Sequence, residues 1–553
     1  MSLIDLASLV LAPTAVKDGK VYNAIPNDQD FTFSRGTEAT RVNSAGLIEK
    51  ARTNFLLQSN TFDTTWTNTN TTETGGQTGY DGSSNAWLIS KSSSSGFISQ
   101  NISNSNLQTF SVYAKQGDSD WIGLVFIGGS NPRVYFDLAN GTSGSLTGGA
   151  IVKDIQSVGN GWYRCSVTCN DTITSVRLYP AEGDGVVSGT SGNIVIQDAQ
   201  LEQGLVSTDV ITTTTSSVTV GITDDLPRVD YSGGGCPSLL LEGSRTNLND
   251  QSEYFNGWTK VNATVTDNEI VSPEGVQNGS LVECTSGRIQ KNISLTSGTT
   301  YVISLFAKAN GDYFSVQVLD GTNPATQFNL STESTSDSNG ATSTIEEFGN
   351  GWYRCTMKFT SAYTGATTIR GITSTDTGGV YIYGWQLEAG SYVSSYIPTY
   401  GTSTSRSADF AVLSNASNLI GQTEGTMFIE FTRENNSVGT FSISANNVGT
   451  RIYIGTNASG LICQVRNGYA QQAYFSTAQT EDTTYKCAIA YANNDFVLYM
   501  NGTQIGTDTS GTVPACNTIR TDDAGGANLN QPLKQAILFP TRLTNDQLAE
   551  LTK

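Results

Sequence analysis

Gly159-Asn160-Gly161-Trp162-Tyr163-Arg164-Cys165 returns unchanged as Gly349-Asn350-Gly351-Trp352-Tyr353-Arg354-Cys355, 190 residues further on. The chain therefore carries a duplicated domain, and the stretch also says of what kind. Gly-Asn-Gly is a tight-turn signal. The residues after it alternate, Trp162, Arg164 and Ser166 against Tyr163, Cys165 and Val167, as a β-strand entered from a turn does.

Working outward, the copies share further landmarks. The first opens on Arg52-Thr53-Asn54 with Gln58-Ser59 and Trp66, the second on Arg245-Thr246-Asn247 with Gln251-Ser252 and Trp258. Phe110-Ser111-Val112-Tyr113-Ala114-Lys115 answers to Ile303-Ser304-Leu305-Phe306-Ala307-Lys308, and Gln200-Leu201-Glu202 to Gln386-Leu387-Glu388. Between these points short alternating runs are separated by Gly, Asn, Ser and Asp, with no helical period of useful length. Strands spaced this way predict an all-β chain of tandem antiparallel sandwich or jelly-roll domains, the first two an internal duplication. The boundaries read as 51–210 and 245–400, with a connector at 211–244.

Residues 1–50 contain the alternating run Asp30-Phe31-Thr32-Phe33-Ser34 and the turn Asn43-Ser44-Ala45-Gly46. They have too little apolar content for a core of their own and are expected to lie against another domain or chain. Residues 401–553 have a different pattern. Asp495 to Met500 is a strand ending in the hairpin turn Asn501-Gly502. Thr544 and Gln547 form a capping box before a short helix with Leu548 and Leu551 on one face. A third sandwich closed by one small helix is expected.

Composition narrows the function classes. Only 14% of the 553 residues are charged, and the formal net charge is -19. A phosphate backbone is repelled by such a chain, so no nucleic-acid partner is expected. No apolar run reaches the ~20 residues of a membrane span. Met1 to Val10 carries Asp5 and no basic cluster, so no secretory signal is predicted. The absence of histidine removes Ser-His-Asp and Cys-His catalysis and His-ligated zinc. The eight cysteines contain no CxxC pair. Cys165 and Cys169 share a face about 13 Å apart, too far to bridge, and read as small reduced core residues.

The series Asp30-Phe31-Thr32-Phe33-Ser34-Arg35-Gly36 to Gly46-Leu47-Ile48-Glu49, followed by Arg52-Thr53-Asn54 and Gln58-Ser59, resembles structural proteins of tailed bacteriophages, most closely those of crAss-like phages. There such segments introduce carbohydrate-binding-module-like jelly rolls, and a concanavalin- or laminin-G-like sandwich often follows. The strand Phe496 to Asn501-Gly502 and the terminal Leu-rich helix are similar to that last class. The resemblance implies a virion fibre, spike or decoration made in the host cytoplasm and commonly trimeric. It would dock on other virion proteins through residues 1–50 and present its sandwiches to host-surface glycans. Alternatives are a secreted or surface carbohydrate-binding protein of a bacterium and a polysaccharide depolymerase.

The two copies differ in the residues that could form a site. Trp162, Trp352, Trp66 and Trp258 recur and are expected in shared cores. Trp87 aligns with Ser280 and Trp385 with Ala199, so these two unmatched tryptophans are the expected ligand-binding aromatics. A concanavalin-like glycosidase needs Glu-x-Asp-x-x-Glu on one strand. Glu182-Gly183-Asp184 is followed by Val187 in a Gly-rich loop, so no enzyme is expected. Calcium is the one ion that suits loop acids such as Asp198, or Asp522-Asp523 before Gly525-Gly526, although solvated turn acids are the plainer reading. Arg52 with Glu202, and Arg245 with Glu388, are expected to form an ion pair in each copy.

Overall fold

The computed structural model describes all residues except 1, 14–15, 18, 26–28, 312, 374–378, 435–438 and 524–527. It is nearly all antiparallel strand. The duplicated turn is a two-residue hairpin. Gly159 pairs with Trp162 across Asn160 (φ 53°) and Gly161 (φ 77°), and Gly349 pairs with Trp352 across Asn350 (φ 53°) and Gly351 (φ 74°). Asn and Gly accept that left-handed backbone, whose twist matches the flanking strands.

The first repeat is two six-stranded sheets enclosing one core. One sheet holds the strands Trp162–Asn170, Leu107–Gln116 and Asn193–Gln203. The other holds Trp121–Ile127 and Ile173–Ala181. The second repeat has the same strand order, with one difference. Ala86–Lys91 and Phe97–Asn104 of the first repeat are separate strands, parted by a Ser-rich corner in which Ser95 has φ 55°. Their counterpart Gly279–Leu295 runs on through a bend at Ser286 (φ 51°) and joins both layers in one ten-stranded path. Trp162, Trp352, Trp66 and Trp258 are buried, as are Cys165, Cys169 and Cys355, and all cysteines are free.

The third sandwich draws on distant parts of the chain. Residues 401–553 supply most of an eight-stranded and a nine-stranded sheet. Leu9–Leu11 adds to the first by pairing Leu9 with Leu538, and Asp30–Ser34 adds to the second by pairing Phe33 with Ala411. Phe31 and Phe33 point inward between the exposed Asp30, Thr32 and Ser34, and they join Leu9, Leu11 and Val21 in a core with Phe441, Ile454 and Leu498. The leading segment, too polar to fold alone, thus completes a core built from the other end of the chain. The C-terminal helix Asn545–Leu551 has the expected capping box and buries Leu548.

Two related hairpins organise the junctions. Thr40–Val42 with Ile48–Lys50, and Arg228–Asp230 with Ser238–Leu240, each precede an Arg-Thr-Asn strand. Arg228 of the second donates to Ser395 of the repeat that follows it at 2.9 Å, but the apolar contacts of both hairpins lie elsewhere. Ile48 of the first enters a cluster with Phe306, Trp352, Tyr383 and Tyr396 of the second repeat. The second hairpin pairs Leu239 with Leu533 of the third sandwich. The hairpins also touch each other: the Val42 amide donates to Asp230 at 2.7 Å and the Tyr231 amide to the Val42 carbonyl at 3.0 Å.

Where these elements meet, charges are buried in pairs. Asp409 binds Arg35 at 3.0 Å and also Arg228, while Glu242 binds Arg228 and Arg406 at 2.7 Å each. A second group joins Lys50 to Glu253 at 2.7 Å and to Glu274 at 2.5 Å, and Arg52 to Glu274 at 2.8 Å. Tyr396 donates its hydroxyl to Glu253 at 3.0 Å. Desolvation makes such pairs poor sources of net stability, but removing one partner strands a buried charge. Burial alone would raise the Glu242 carboxyl, yet Arg406 and Arg228 outweigh it and hold it below the ordinary range. Glu274 is likewise lowered against burial, by Lys50 and Arg52.

Two outcomes follow for the intact chain. Asp409→Ala, which leaves Arg35 without its carboxylate, is expected to cost about 3–5 kcal/mol in calorimetric unfolding; a loss under about 1 kcal/mol would show that the junction does not depend on the pair. Because Glu242 and Glu274 titrate lower folded than unfolded, their stabilisation is complete above the ordinary carboxylate value of about 4.3 and is lost as pH falls below it. Melting temperature should be flat near neutrality and drop below about pH 4, and Glu242→Gln should flatten part of that drop.

Candidate functional site

Most of the residues singled out above serve the fold. Trp385 is 1% exposed, its ring tilted against Trp258 at 5.1 Å in the core of the second repeat, so it offers no face to a ligand. Trp87 is half-buried. Its Nε1 donates to the Asn60 carbonyl at 3.1 Å and its ring lies over Gly75, where an added Cβ would come within 3.2 Å of it. The two tryptophans sit in different repeats and share no site.

The candidate calcium ligands have other partners. Asp198, raised from its usual value by burial, accepts the Tyr80 hydroxyl at 3.0 Å. Asp522 is held by Arg520 at 2.5 Å and Asp523 by Arg451 at 2.9 Å, while Gly525-Gly526 lie outside the described residues. Among the described residues no group of three or more acids or cysteines gathers as a metal centre. Glu182 pairs with Lys91 at 2.6 Å and Asp184 accepts the Ser145 amide at 2.9 Å, both structural uses. The paired arginine expectation holds in one copy. Arg52 lies 3.7 Å from Glu202, whereas Arg245 covers the Tyr392 ring at 4.2 Å and has no ion pair with Glu388 among the described residues. Glu388 instead accepts the Ser394 amide at 3.0 Å.

A different surface gathers unspent polar and aromatic groups: the outer face of the nine-stranded sheet in the third sandwich. Strands Thr450–Asn457, Gly460–Asn467 and Ala470–Thr477 are neighbours there. Ile452, Ile454, Cys463, Val465, Ala473 and Phe475 face the core, so the alternate residues face out. Tyr453 stands opposite Gln464, and Gln464 opposite Tyr474. At the strand spacing this row is about 10 Å long. Tyr474, at the sheet edge, is 46% exposed.

Beside the row, Arg451 faces Arg466 on the next strand. Arg451 lies over the Tyr453 ring at 4.6 Å and is balanced by Asp523; Arg466 has no carboxylate partner among the described residues. Burial raises the Tyr453 hydroxyl, with Arg451 opposing. Gln464 is 5% exposed, and its Nε2 donates to Gln471 at 2.9 Å while its Oε1 has no partner. Exchanging the amide atoms of both glutamines would leave the Gln464 nitrogen unpartnered instead, so one polar atom stays without a partner, buried beneath this face, either way.

The turn closing the hairpin adds a second aromatic. Asn467 pairs with Ala470 across Gly468 (φ 58°) and Tyr469 (φ 68°). A bulky residue at positive φ is an outlier costing roughly 1–2 kcal/mol. Tyr469 is nevertheless 70% exposed, the highest among the exposed large hydrophobic residues. Its ring lies on Gly449, where a Cβ would fall 2.6 Å from Tyr469 Cε2. Strain kept at an exposed ring makes Tyr469 a candidate for a functional role. Together the face offers two open aromatic rings, an unpaired guanidinium and a desolvated amide, which suits a hydroxyl-rich ligand with flat apolar faces.

Sequence reasoning looked for tryptophans and carboxylates and missed this face. The usable signal was Asn467-Gly468-Tyr469, a hairpin turn with a tyrosine where glycine or asparagine is preferred.

No protein-family model and no curated protein matches the chain. Solved structures resemble it distantly. Botulinum neurotoxin type C matches at 11% identity with a TM-score of 0.22, over 26% of this chain and 39% of that one. The tandem CBM22 domains of Paenibacillus barcinonensis Xyn10C match at 12% and 0.20, over 59% and 93%. The LG1–3 region of the laminin α2 chain matches at 11% and 0.18, over 82% and 97%. The chain thus spans about two-fifths of the neurotoxin it matches, and at these scores the likenesses assign no function.

Relief of the backbone strain at residue 469 (φ 68°) by Tyr469→Gly is expected to raise the unfolding free energy of the third sandwich by about 1 kcal/mol. A fall in calorimetric stability would mean that the ring's contact with Gly449 outweighs the strain.

Proposed function

We propose that the protein is a non-enzymatic phage virion component, a fibre, spike or decoration, that touches host-surface glycans through the outer face of its third sandwich. The observation that carries the glycan contact is the strained, exposed Tyr469 beside the unpartnered Gln464 amide and the open Tyr474 ring. The virion assignment is supported by the series Asp30 to Glu49 with Arg52-Thr53-Asn54, which resembles phage structural proteins. Assembly as a homotrimer, production in the host cytoplasm and docking on other virion proteins through residues 1–50 belong to the same proposal. Since the strands of residues 1–50 are built into the third sandwich and the junction, docking falls to the surface they present from there. The strands Lys20–Tyr22 and Asp30–Ser34 then belong to the same sheet as the sugar-facing strands. The described residues include no helix long and apolar enough to cross a membrane.

The expected result on a glycan array is binding by the full-length protein, weakened about tenfold or more by Tyr474→Ala and unchanged by Trp87→Ala at matched melting temperature. Binding that survives Tyr474→Ala and Tyr469→Gly together, or no binding to any glycan, overturns the site. Native mass spectrometry of the same sample should give a trimer; a monomer contradicts the assembly.

A further inference from the structure

Resting on that glycan reading, we infer that the outer face of the third sandwich selects an acidic saccharide, one whose sugar rings carry carboxylates or sulfates, with Arg466 as the charge-selecting residue.

The argument begins with charge. On a chain of net charge -19, two arginines stand directly opposite each other on adjacent strands. Like charges in that position destabilise a sheet unless something balances them. Asp523 balances Arg451, and Asp522 balances Arg520, whose backbone lies opposite Ser442 in the same sheet. Arg466 is left half-buried with no ion-pair partner among the described residues. It lies two residues from Gln464, on the same outer side, and three from the exposed Tyr469. An anion in front of Arg466 would relieve the repulsion with Arg451.

The remaining groups argue for a saccharide over a simple anion. A sulfate or a carboxylate alone has no use for two aromatic rings. The Gln464 amide is almost wholly withdrawn from water with one atom unpartnered, a costly state that a sugar hydroxyl, able to donate or accept, resolves in either orientation once the side chains covering it move aside. The row from Tyr453 to Tyr474 is about 10 Å long, room for two linked sugar rings. Arg466 lies beside that row, so a substituent on one ring can reach the guanidinium while a neighbouring ring rests on tyrosine. A planar guanidinium binds carboxylate or sulfate oxygens through paired hydrogen bonds, which gives geometry as well as charge.

The test uses the full-length protein and two probes that differ only in charge, oligogalacturonate and its methyl ester, with a sulfated galactan oligosaccharide and its desulfated, neutral form as a second pair. Titration calorimetry is expected to show at least one acidic form bound about tenfold more tightly than its neutral counterpart at low salt, the preference shrinking as salt rises. Arg466→Gln should abolish that preference by weakening the acidic form far more than the neutral one, with the melting temperature checking that the sheet is intact. Tyr474→Ala should weaken both forms together. Whichever pair shows the preference tells carboxylate from sulfate.

Equal binding of acidic and neutral forms overturns the inference while leaving the glycan reading in place. So does a preference that Arg466→Gln leaves untouched. Polyglutamate binding as tightly as the acidic saccharide overturns it as well, since charge alone would then suffice. If no saccharide, acidic or neutral, binds in these titrations or on the array, both the inference and the glycan reading fail.

Discussion

The buried charges at the junction are the constraint around which the three sandwiches are arranged. Arg35 comes from the leading segment, Arg228 and Glu242 from the connector, and Arg406 and Asp409 from the strand that leaves the second repeat, yet all meet in one water-poor cluster. Arg228 has a carboxylate of its own segment in Glu242, but Arg35 is met by Asp409 and Arg406 by Glu242, each from another segment. The cluster therefore enforces a relative placement that hydrophobic packing would leave loose. The Lys50, Arg52, Glu253 and Glu274 group does the same between the two repeats.

The duplication shows how a shared scaffold was put to two uses. In the second repeat the outer face around Phe306 and Trp352 receives Ile48 from the first hairpin. At the matching face of the first repeat, Tyr113 and Trp162 are met from within by Tyr80, stacked on Tyr113 at 3.8 Å and anchored to Asp198. One copy is capped by a distant hairpin and the other by its own loop. Both faces are consumed by packing, which leaves Trp162 and Trp352 almost wholly buried. The third sandwich, outside the duplication, keeps an outer sheet face with exposed rings.

What could be read from the sequence follows from how local each signal was. Gly159-Asn160-Gly161 and Asn501-Gly502 encode their hairpins in two or three residues, and Thr544 with Gln547 encodes its helix start, so the turns and the helix were legible. The alternation of Phe31 and Phe33 announced a strand but could not say that its partner was Phe410–Leu413, nearly four hundred residues away, since strand pairing leaves no mark at such separation. Trp385 misled because an unmatched tryptophan in a duplicate can be a local core substitution: Gly371 leaves room for its indole in the second repeat. Tyr453, Gln464 and Tyr474 become a row only through sheet register, and with 23 tyrosines in the chain nothing marked these.

The central functional claim is that sugar rings rest on Tyr469 and Tyr474. Hydroxyl-radical footprinting of the full chain tests it directly, because exposed tyrosines oxidise and a bound saccharide shields them. Tyr313 and Tyr363, exposed on the second repeat, serve as internal controls. With saturating oligosaccharide the account predicts that oxidation falls at Tyr469 and Tyr474 and is unchanged at Tyr313 and Tyr363. Protection at Tyr313 or Tyr363, with Tyr469 and Tyr474 oxidised as in the free protein, would contradict it and move the contact to the repeats.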